Sequence, residues 1–299
     1  MRLFIALMLR STLTGISQVF LQCHRGCGLL ILVAIGLHDA FLLAGALIGQ
    51  LSGSATAWHC RYARSDIETG LYGYNGALLG LLITSTLSLS LPAGLLIVFT
   101  GALSSLLQQQ LLRRMREHTG PPGFTLAFVL CGWGAMTLCG LLEGVVEARL
   151  PAYSMDSWGA LNGMLRGVGQ VLFLPDPIAG LCLFGALLLA NRRAAVWSLC
   201  GSAVGIYVAL LMGASEEHSM AGLAGYNPAL AALALSQMHR SVLAPALGIV
   251  LAISGRLAFE QLGLPPLTMP FILACWAAIG VIACTETSSA CSKPDLNPR

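Results

Sequence analysis

The side chains in this sequence that could engage in chemistry are few, uncharged and paired. Gln18 and Gln170, Thr125 and Thr268, and the dipeptides Tyr74-Asn75 and Tyr226-Asn227 all lie within apolar sequence, and each has its partner in the other half of the chain. Amides, hydroxyls and backbone carbonyls of this kind can replace the hydration of a small, neutral, polar solute. Aromatic rings beside them can cover the faces of a flat one. They cannot compensate a bare ion, which needs fixed charge in return for its lost water.

Catalysis and ion coupling are poorly provisioned. There is no His-Glu-x-x-His and no Gly-x-Ser-x-Gly, and His24, His38, His59, His118, His218 and His239 all flank the apolar segments. A hydrolase would need a nucleophile with its base, or metal ligands. Proton or sodium coupling would leave Asp, Glu or His inside the spans. The candidates are Glu143 and Glu147, late in one apolar stretch, and Glu68 and Glu217, just ahead of the two Tyr-Asn runs. The last two are expected to cap short-helix amino termini, where a carboxylate meets orphan N–H groups, with solute contact as the alternative. Cys23-His24-Arg25-Gly26-Cys27 hints at a metal but fits no zinc spacing, and most of the ten cysteines lie in apolar runs as small hydrophobes. No cofactor and no metal is expected.

The elements that must position these residues form a duplication. Gly70-Leu71-Tyr72-Gly73-Tyr74-Asn75 returns as Gly222-Leu223-Ala224-Gly225-Tyr226-Asn227, and at the same spacing Gln18-Val19 returns as Gln170-Val171. Late in each half, Pro122-Gly123-Phe124-Thr125 is answered by Pro265-Pro266-Leu267-Thr268, and Trp133 by Trp276. Three motifs in the same order give two repeats, residues 1–152 and 153–299.

Composition names the solvent. Apolar residues make up 56% of the chain and charged residues 10%, with mean hydropathy +0.78. Soluble domains carry about 25% charge. The apolar stretches run Leu29–Leu51, Leu71–Leu107, Phe124–Leu142, Ile178–Ala190, Ala194–Gly213, Ala221–Leu235, Val242–Ile253 and Leu267–Cys284. A spanning helix needs about 20 such residues, so the chain is an all-α polytopic membrane protein whose shortest stretches are half-spans. No cleavable signal peptide is expected, and the net charge of +3 carries no signal for nucleic acid.

Charge placement suggests how the halves sit. Arg61 and Arg64 face a counterpart segment, Ser215 to His218, that has two carboxylates and no Arg; Arg192 and Arg193 answer His38-Asp39-Ala40, which has none. Arg113, Arg114 and Arg116 are answered by Arg256 alone. Cytoplasmic loops carry the excess of arginine. The repeats are therefore expected to be inverted, with both termini and the polar tail from about residue 285 cytoplasmic. Inverted repeats place solute sites near the midplane, where interrupted helices meet.

With these motifs assembled, the whole chain resembles the urea transporter (urea channel) family, in the form of a bacterial member. The resemblance rests on the two Gly-Leu-x-Gly-Tyr-Asn runs, on the two Gln-Val openings and on Leu-Pro-x-x-Thr-x-Pro-Phe at 264–271. It implies two inverted repeats of about five transmembrane helices each, plus a re-entrant half-helix per repeat. It also implies a homotrimer in the cell (inner) membrane, and passive permeation of urea through a pore in each protomer. By resemblance, Thr125 and Thr268 line a central constriction flanked by Val19, Leu78, Val171 and Leu230. Tyr74, Phe173 and Tyr226 form aromatic slots, Gln18 and Gln170 stand beside a ladder of carbonyls, and Glu217 matches a family acid. Leu21 stands where a slot phenylalanine is usual, with Phe20 one place early; Cys23-His24-Arg25 replaces Asn-Asn-Pro, Asp176 an Asn, and Ala127 a Pro.

Each assignment has a plainer competitor. A membrane threonine often bonds its own helix backbone. Tyr74 and Tyr226 could be core, as could Val19, Val171, Leu78 and Leu230. Phe128 and Phe271 are assigned to packing, with slot walls as the alternative, and Trp133 and Trp276 to helix packing or the interface. Competing functions are a channel for other small amides or ammonia, a membrane-embedded enzyme, and a subunit without a pore.

Overall fold

The computed structural model describes residues 2–118, 120–143 and 157–291, and the elements within them are helical. The first half runs α1 (Arg2–Gln18), α2 (Arg25–His38), α3 (Ala40–His59), the short α4 (Arg64–Glu68), α5 (Tyr74–Leu87), α6 (Leu91–His118) and α7 (Leu126–Glu143). The second half repeats that order as α8 (Ser157–Gly169), α9 (Pro177–Ala190), α10 (Arg192–Leu211), the short α11 (Glu216–Met220), α12 (Tyr226–Met238), α13 (Leu243–Gln261) and α14 (Met269–Cys291). A single 3-10 turn, Gln170–Leu172, follows α8. The expected boundary between repeats, Glu147 and the end of the polar tail lie outside the described residues.

Leu-, Ala- and Ile-rich runs form helices because every backbone group must be satisfied internally where there is no water. Polar side chains set the starts. Asp39 Oδ1 accepts from Phe41 and Leu42 N–H at 2.6 and 3.1 Å to open α3. Asn191 does the same for α10 through Ala194 at 3.1 Å, and Asp176 for α9 through Ile178 at 3.1 Å. His24 Nδ1 accepts from Cys27 N–H at 3.0 Å, so the Cys-His-Arg-Gly-Cys segment is a helix cap. Among the described residues no group of three or more His, Cys, Asp or Glu could hold a metal.

By length and composition, four described helices can each cross a bilayer: α3, α6, α10 and α13. A fifth span arises if α8 and α9, bent by 75° at their junction, count as one. The other apolar stretches, including 126–140 of α7 and 269–285 of α14, are shorter. A 14-residue helix such as α5 rises only about 21 Å, against a hydrocarbon core of about 30 Å. These short helices are held inside the protein: α5 packs on α3, α6 and α7, as α12 does on α10, α13 and α14. The halves meet where α2 packs on α9 and α7 on α14, and one apolar cluster, including Phe20, Leu78, Phe128, Leu230 and Phe271, runs through both.

Glycine is required where the Tyr-Asn runs begin. Gly70 has φ +80° and Gly222 φ +84°. A Cβ on Gly70 would lie 2.2 Å from the backbone of Gly15, and one on Gly222 2.4 Å from that of Gly167. Each run is thus pressed against the first helix of its own half, closer than any side chain allows.

Two basic segments differ from the loops expected for them. Arg113, Arg114 and Arg116 belong to the last turns of α6, because the helix outlasts its apolar stretch. Arg256 lies within α13, only 8% exposed and paired with Glu260. Arg240 falls beside Arg193, whose guanidinium donates to the carbonyls of His239 and Arg240 at 3.0 and 2.7 Å.

Candidate functional site

Four interrupted turns converge where the halves meet. After Gln18 and Gln170 the chain closes tight turns, Leu21 N–H donating to Gln18 O at 2.9 Å and Phe173 N–H to Gln170 O at 3.2 Å. Leu21 and Phe173 are both left-handed, with φ of 57° and 59°. Ahead of α7 and α14, Phe124 and Leu267 are left-handed too, with φ of 43° and 42°. A non-glycine residue there costs roughly 1–3 kcal/mol and persists only where its surroundings fix it.

The fixing groups are the paired amides. Asn75 Oδ1 accepts from Phe128 N–H at 3.2 Å while its Nδ2 donates to Gln108 Oε1 at 3.1 Å. Asn227 Oδ1 accepts from Phe271 N–H at 3.1 Å while its Nδ2 donates to Leu267 O at 3.0 Å. Asn227 therefore brackets Thr268 at the start of α14, and Asn75 ties the start of α7, just after Thr125, to Gln108 of α6. Tyr74 donates its hydroxyl to Phe124 O and is 4% exposed. Gln18 Nε2 donates to Thr69 O at 3.1 Å and Gln170 Nε2 to Ala221 O at 2.9 Å, tying each opening motif to its Tyr-Asn run.

The two threonine hydroxyls meet. Thr125 Oγ1 and Thr268 Oγ1 are 2.7 Å apart, and the residues are 1% and 4% exposed. On one side of them lies a cavity of about 150 Å³, lined by Phe128, Gln170, Val171, Phe173, Leu223, Tyr226, Pro265, Pro266, Leu267 and Thr268. It is smaller than the ~300–1,000 Å³ typical of drug-sized ligands. Phe173 also lines a wider opening of about 450 Å³ beside His38, Asp39, Thr84 and Ser88.

Of the expected residues, Gln170, Val171, Phe173, Tyr226 and Thr268 come together around the small cavity, and Thr125 touches its edge through Thr268. Val19, Leu78 and Leu230 are buried in the apolar cluster beside it. Tyr74 is held by Phe124 and Gln108 rather than lining that cavity. Glu217 is exposed in the first turn of α11 and is not among the lining residues. Glu68 differs from its expected capping role: it closes α4, and its carboxylate pairs with Arg64 at 3.0 Å. Leu21, not Phe20, occupies the place that Phe173 holds in the second half, because the left-handed residue sets the register; Phe20 is core.

Other contributors were given packing roles in the sequence or none at all. Phe128 lines the cavity and meets Phe173 edge-on, ring centroids 6.5 Å apart. Trp133 Nε1 donates to Pro265 O at 2.9 Å, and Trp276 Nε1 to Pro122 O at 2.8 Å. Each indole reaches the turn of the opposite half. Gln108 and Gln109, in the polar end of α6, receive the Tyr74-Asn75 and Tyr72 donors.

The sequence profile described as urea transporter matches residues 9–282. Urea transporter 1 of the sheep Ovis aries is 29% identical over 293 residues, covering 88% of this chain and 74% of the relative. The goat Capra hircus protein of the same name gives the same figures, and that of Mus musculus is 28% identical over 256 residues, 77% of this chain and 63% of its own. A match over nearly the whole helical body, on a site built of neutral paired groups, means that this multi-pass membrane protein belongs to the urea transporter family, whose members are transporters and not enzymes.

Proposed function

We propose that the chain conducts urea passively, as a channel, through a passage between its two halves. The observation that carries this reading is the threonine pair: two neutral hydroxyls at the contact of the halves, reached from a small cavity walled by Phe128, Phe173 and Tyr226. Among its lining residues there is no charged side chain. Urea is flat and neutral and carries both donors and acceptors. Ring faces can cover its plane while amide, carbonyl and hydroxyl groups meet its edges. An ion would find no compensation there. As urea passes, Thr125 and Thr268 would exchange their mutual bond for bonds to it.

In this reading the halves are inverted repeats related by a two-fold axis, supported by the reciprocal bonds of Trp133 and Trp276. Arg193 brings Arg240 to its own side, adding to the basic face expected to be cytoplasmic. The termini then face the cytoplasm of a cell (inner) membrane, and the protomers assemble as homotrimers, each with its own pore, as the family resemblance implies. Gln18, Val19, Tyr74 and Leu78 support the first-half wall, Leu230 supports the second-half wall, and Glu217 stands at a rim. The test is shrinkage and swelling of proteoliposomes under a urea gradient, followed by stopped-flow light scattering. Urea flux well above empty liposomes is expected, and flux equal to them ends the proposal. Formamide, acetamide and ammonia in the same assay read the selectivity.

A further inference from the structure

At the end of α3 away from His38 lies a second cavity, about 460 Å³, lined by Trp58, His59, Arg61, Tyr62, Arg64 and Ile67. It is distant from the threonine pair in chemistry: cationic, aromatic and open. Its carboxylate neighbours are spoken for. Glu68 pairs with Arg64, and Asp66 is held by both oxygens on Arg116 Nη2 at 3.0 and 2.9 Å. Among the described ion pairs Arg61 takes part in none. Arg113, exposed on α6 and within electrostatic reach of Tyr62, adds to the same positive face.

Arg61 is also kept at a backbone cost. Its φ is +56°, left-handed, and the corresponding turn of the second half carries Gly213 at φ +80° with nothing within 4 Å of its Cβ position. The turn itself asks for glycine. An arginine held there is retained for its side chain.

An apolar groove adjoins the cavity at His59. It is shallow, about 630 Å³, and lies between α3 and α6, formed by Ile48, Leu51, Ser52, Ala55, Thr56, Val98 and Ala102. The groove's hydroxyls are satisfied within the protein, Ser52 Oγ donating to Val98 O at 2.7 Å and Thr56 Oγ1 to Ser52 O at 2.8 Å. Their protons are thus committed, and between Ile48 and Ala55 the groove offers an occupant mainly apolar contact. From Ile48 to His59 the helix rises about 17 Å, close to half of a hydrocarbon core of about 30 Å. One leaflet's acyl chain has that reach.

We infer that this groove and basic cavity hold one anionic phospholipid, its acyl chain along α3 and its phosphate on Arg61, Arg64 and His59. Guanidinium groups bind phosphate through paired N–H donors, and Trp58 in the lining is of the residue type that favours the headgroup level. A zwitterionic headgroup brings no net charge and gains less.

The test is native mass spectrometry of the full chain, released from detergent supplied with equal phosphatidylglycerol and phosphatidylcholine. Retention of phosphatidylglycerol should exceed phosphatidylcholine by about tenfold. Arg61→Gly with Arg64→Gln should bring the two lipids level; the glycine relieves the turn, so loss of fold does not confuse the result. Ala55→Trp, filling the groove, should lower retention of both. Three outcomes overturn the inference: unchanged preference in the double variant; inorganic phosphate binding alone and stripping the lipid, which gives the cavity to free phosphate; or loss of an oligomer on Ala55→Trp with lipid retention intact, which gives the groove to a second copy of the chain.

Discussion

Thr125 and Thr268, 143 residues apart in the chain, place their hydroxyl oxygens 2.7 Å from one another at the contact of the two halves. Among the described residues neither hydroxyl has a second partner, so each serves the other where a membrane threonine ordinarily bonds its own backbone. A single Thr125→Val or Thr268→Val leaves one buried hydroxyl alone and should cost about 1–3 kcal/mol of stability. The double variant should cost less than the sum of the two, and thermal melts of all four proteins form the cycle that reads this coupling. Urea flux in the double variant should fall about tenfold, the equivalent of roughly 1.4 kcal/mol at the barrier. Flux that stays at the wild-type level would remove the pair from the pathway.

Asn227 bonds both Leu267 O and Phe271 N–H, bracketing Thr268. Asn227→Leu keeps the volume but strands two buried backbone groups. A loss of about 2–4 kcal/mol is expected, with urea flux reduced even in the fraction that remains folded. Circular dichroism melts paired with flux per folded protein separate the two effects. A variant as stable as wild type would show that the bracket contributes nothing.

Gly70→Ala and Gly222→Ala each push a Cβ to within 2.4 Å of helix backbone at a left-handed residue. Backbone cannot yield as a side chain tip can, so a penalty of about 3 kcal/mol or more is expected, read as aggregation in size-exclusion chromatography. Gly185→Ala is the control. Nothing lies within 4 Å of its Cβ position in α9, and the change should stabilise by about 0.5–1 kcal/mol.

Phe173 and Leu21 occupy the same left-handed place in the two halves. Phe173→Leu should remove a ring face from the small cavity and raise the urea concentration at half-maximal flux about fivefold, for roughly 1 kcal/mol of lost contact. Leu21→Phe should move the same quantity in the opposite direction by supplying the missing ring. Saturation curves in proteoliposomes read both, and equal curves for all three proteins would refute the role given to this position.

Trp133→Phe and Trp276→Phe keep most of the ring and delete one N–H each. Each should cost about 1 kcal/mol. The two costs should be similar, because the indoles make equivalent bonds at 2.9 and 2.8 Å. Unfolding in denaturant would expose an asymmetry if one indole were only packing.

Much of the candidate site was legible because duplication writes each part twice. The paired Gln, Tyr-Asn and Thr residues stood out against apolar sequence, and the folded chain brings five of the named lining residues to one cavity. What stayed hidden depends on geometry that spacing does not carry. Whether Phe20 or Leu21 matches Phe173 turns on which residue adopts the left-handed conformation, a property of the closed turn. The carbonyl partners of Trp133 and Trp276 lie in the opposite half, so no local pattern points to them. Gln108 and Gln109 read as the polar end of a long helix until Tyr74, Asn75 and Tyr72 are folded against it. Arg256 read as a loop charge because a lone arginine in apolar sequence is more often outside than paired with the next turn of its own helix.

The crossed indole bonds have a dynamic corollary. A carrier that rocked one bundle against the other would have to break both of them, and the hydroxyl contact between them, on every cycle. A seam stitched from each side in this way favours a stationary scaffold in which only side chains and solute shift. The temperature dependence of urea flux should then be shallow, closer to that of diffusion in water than to that of a machine that opens and shuts.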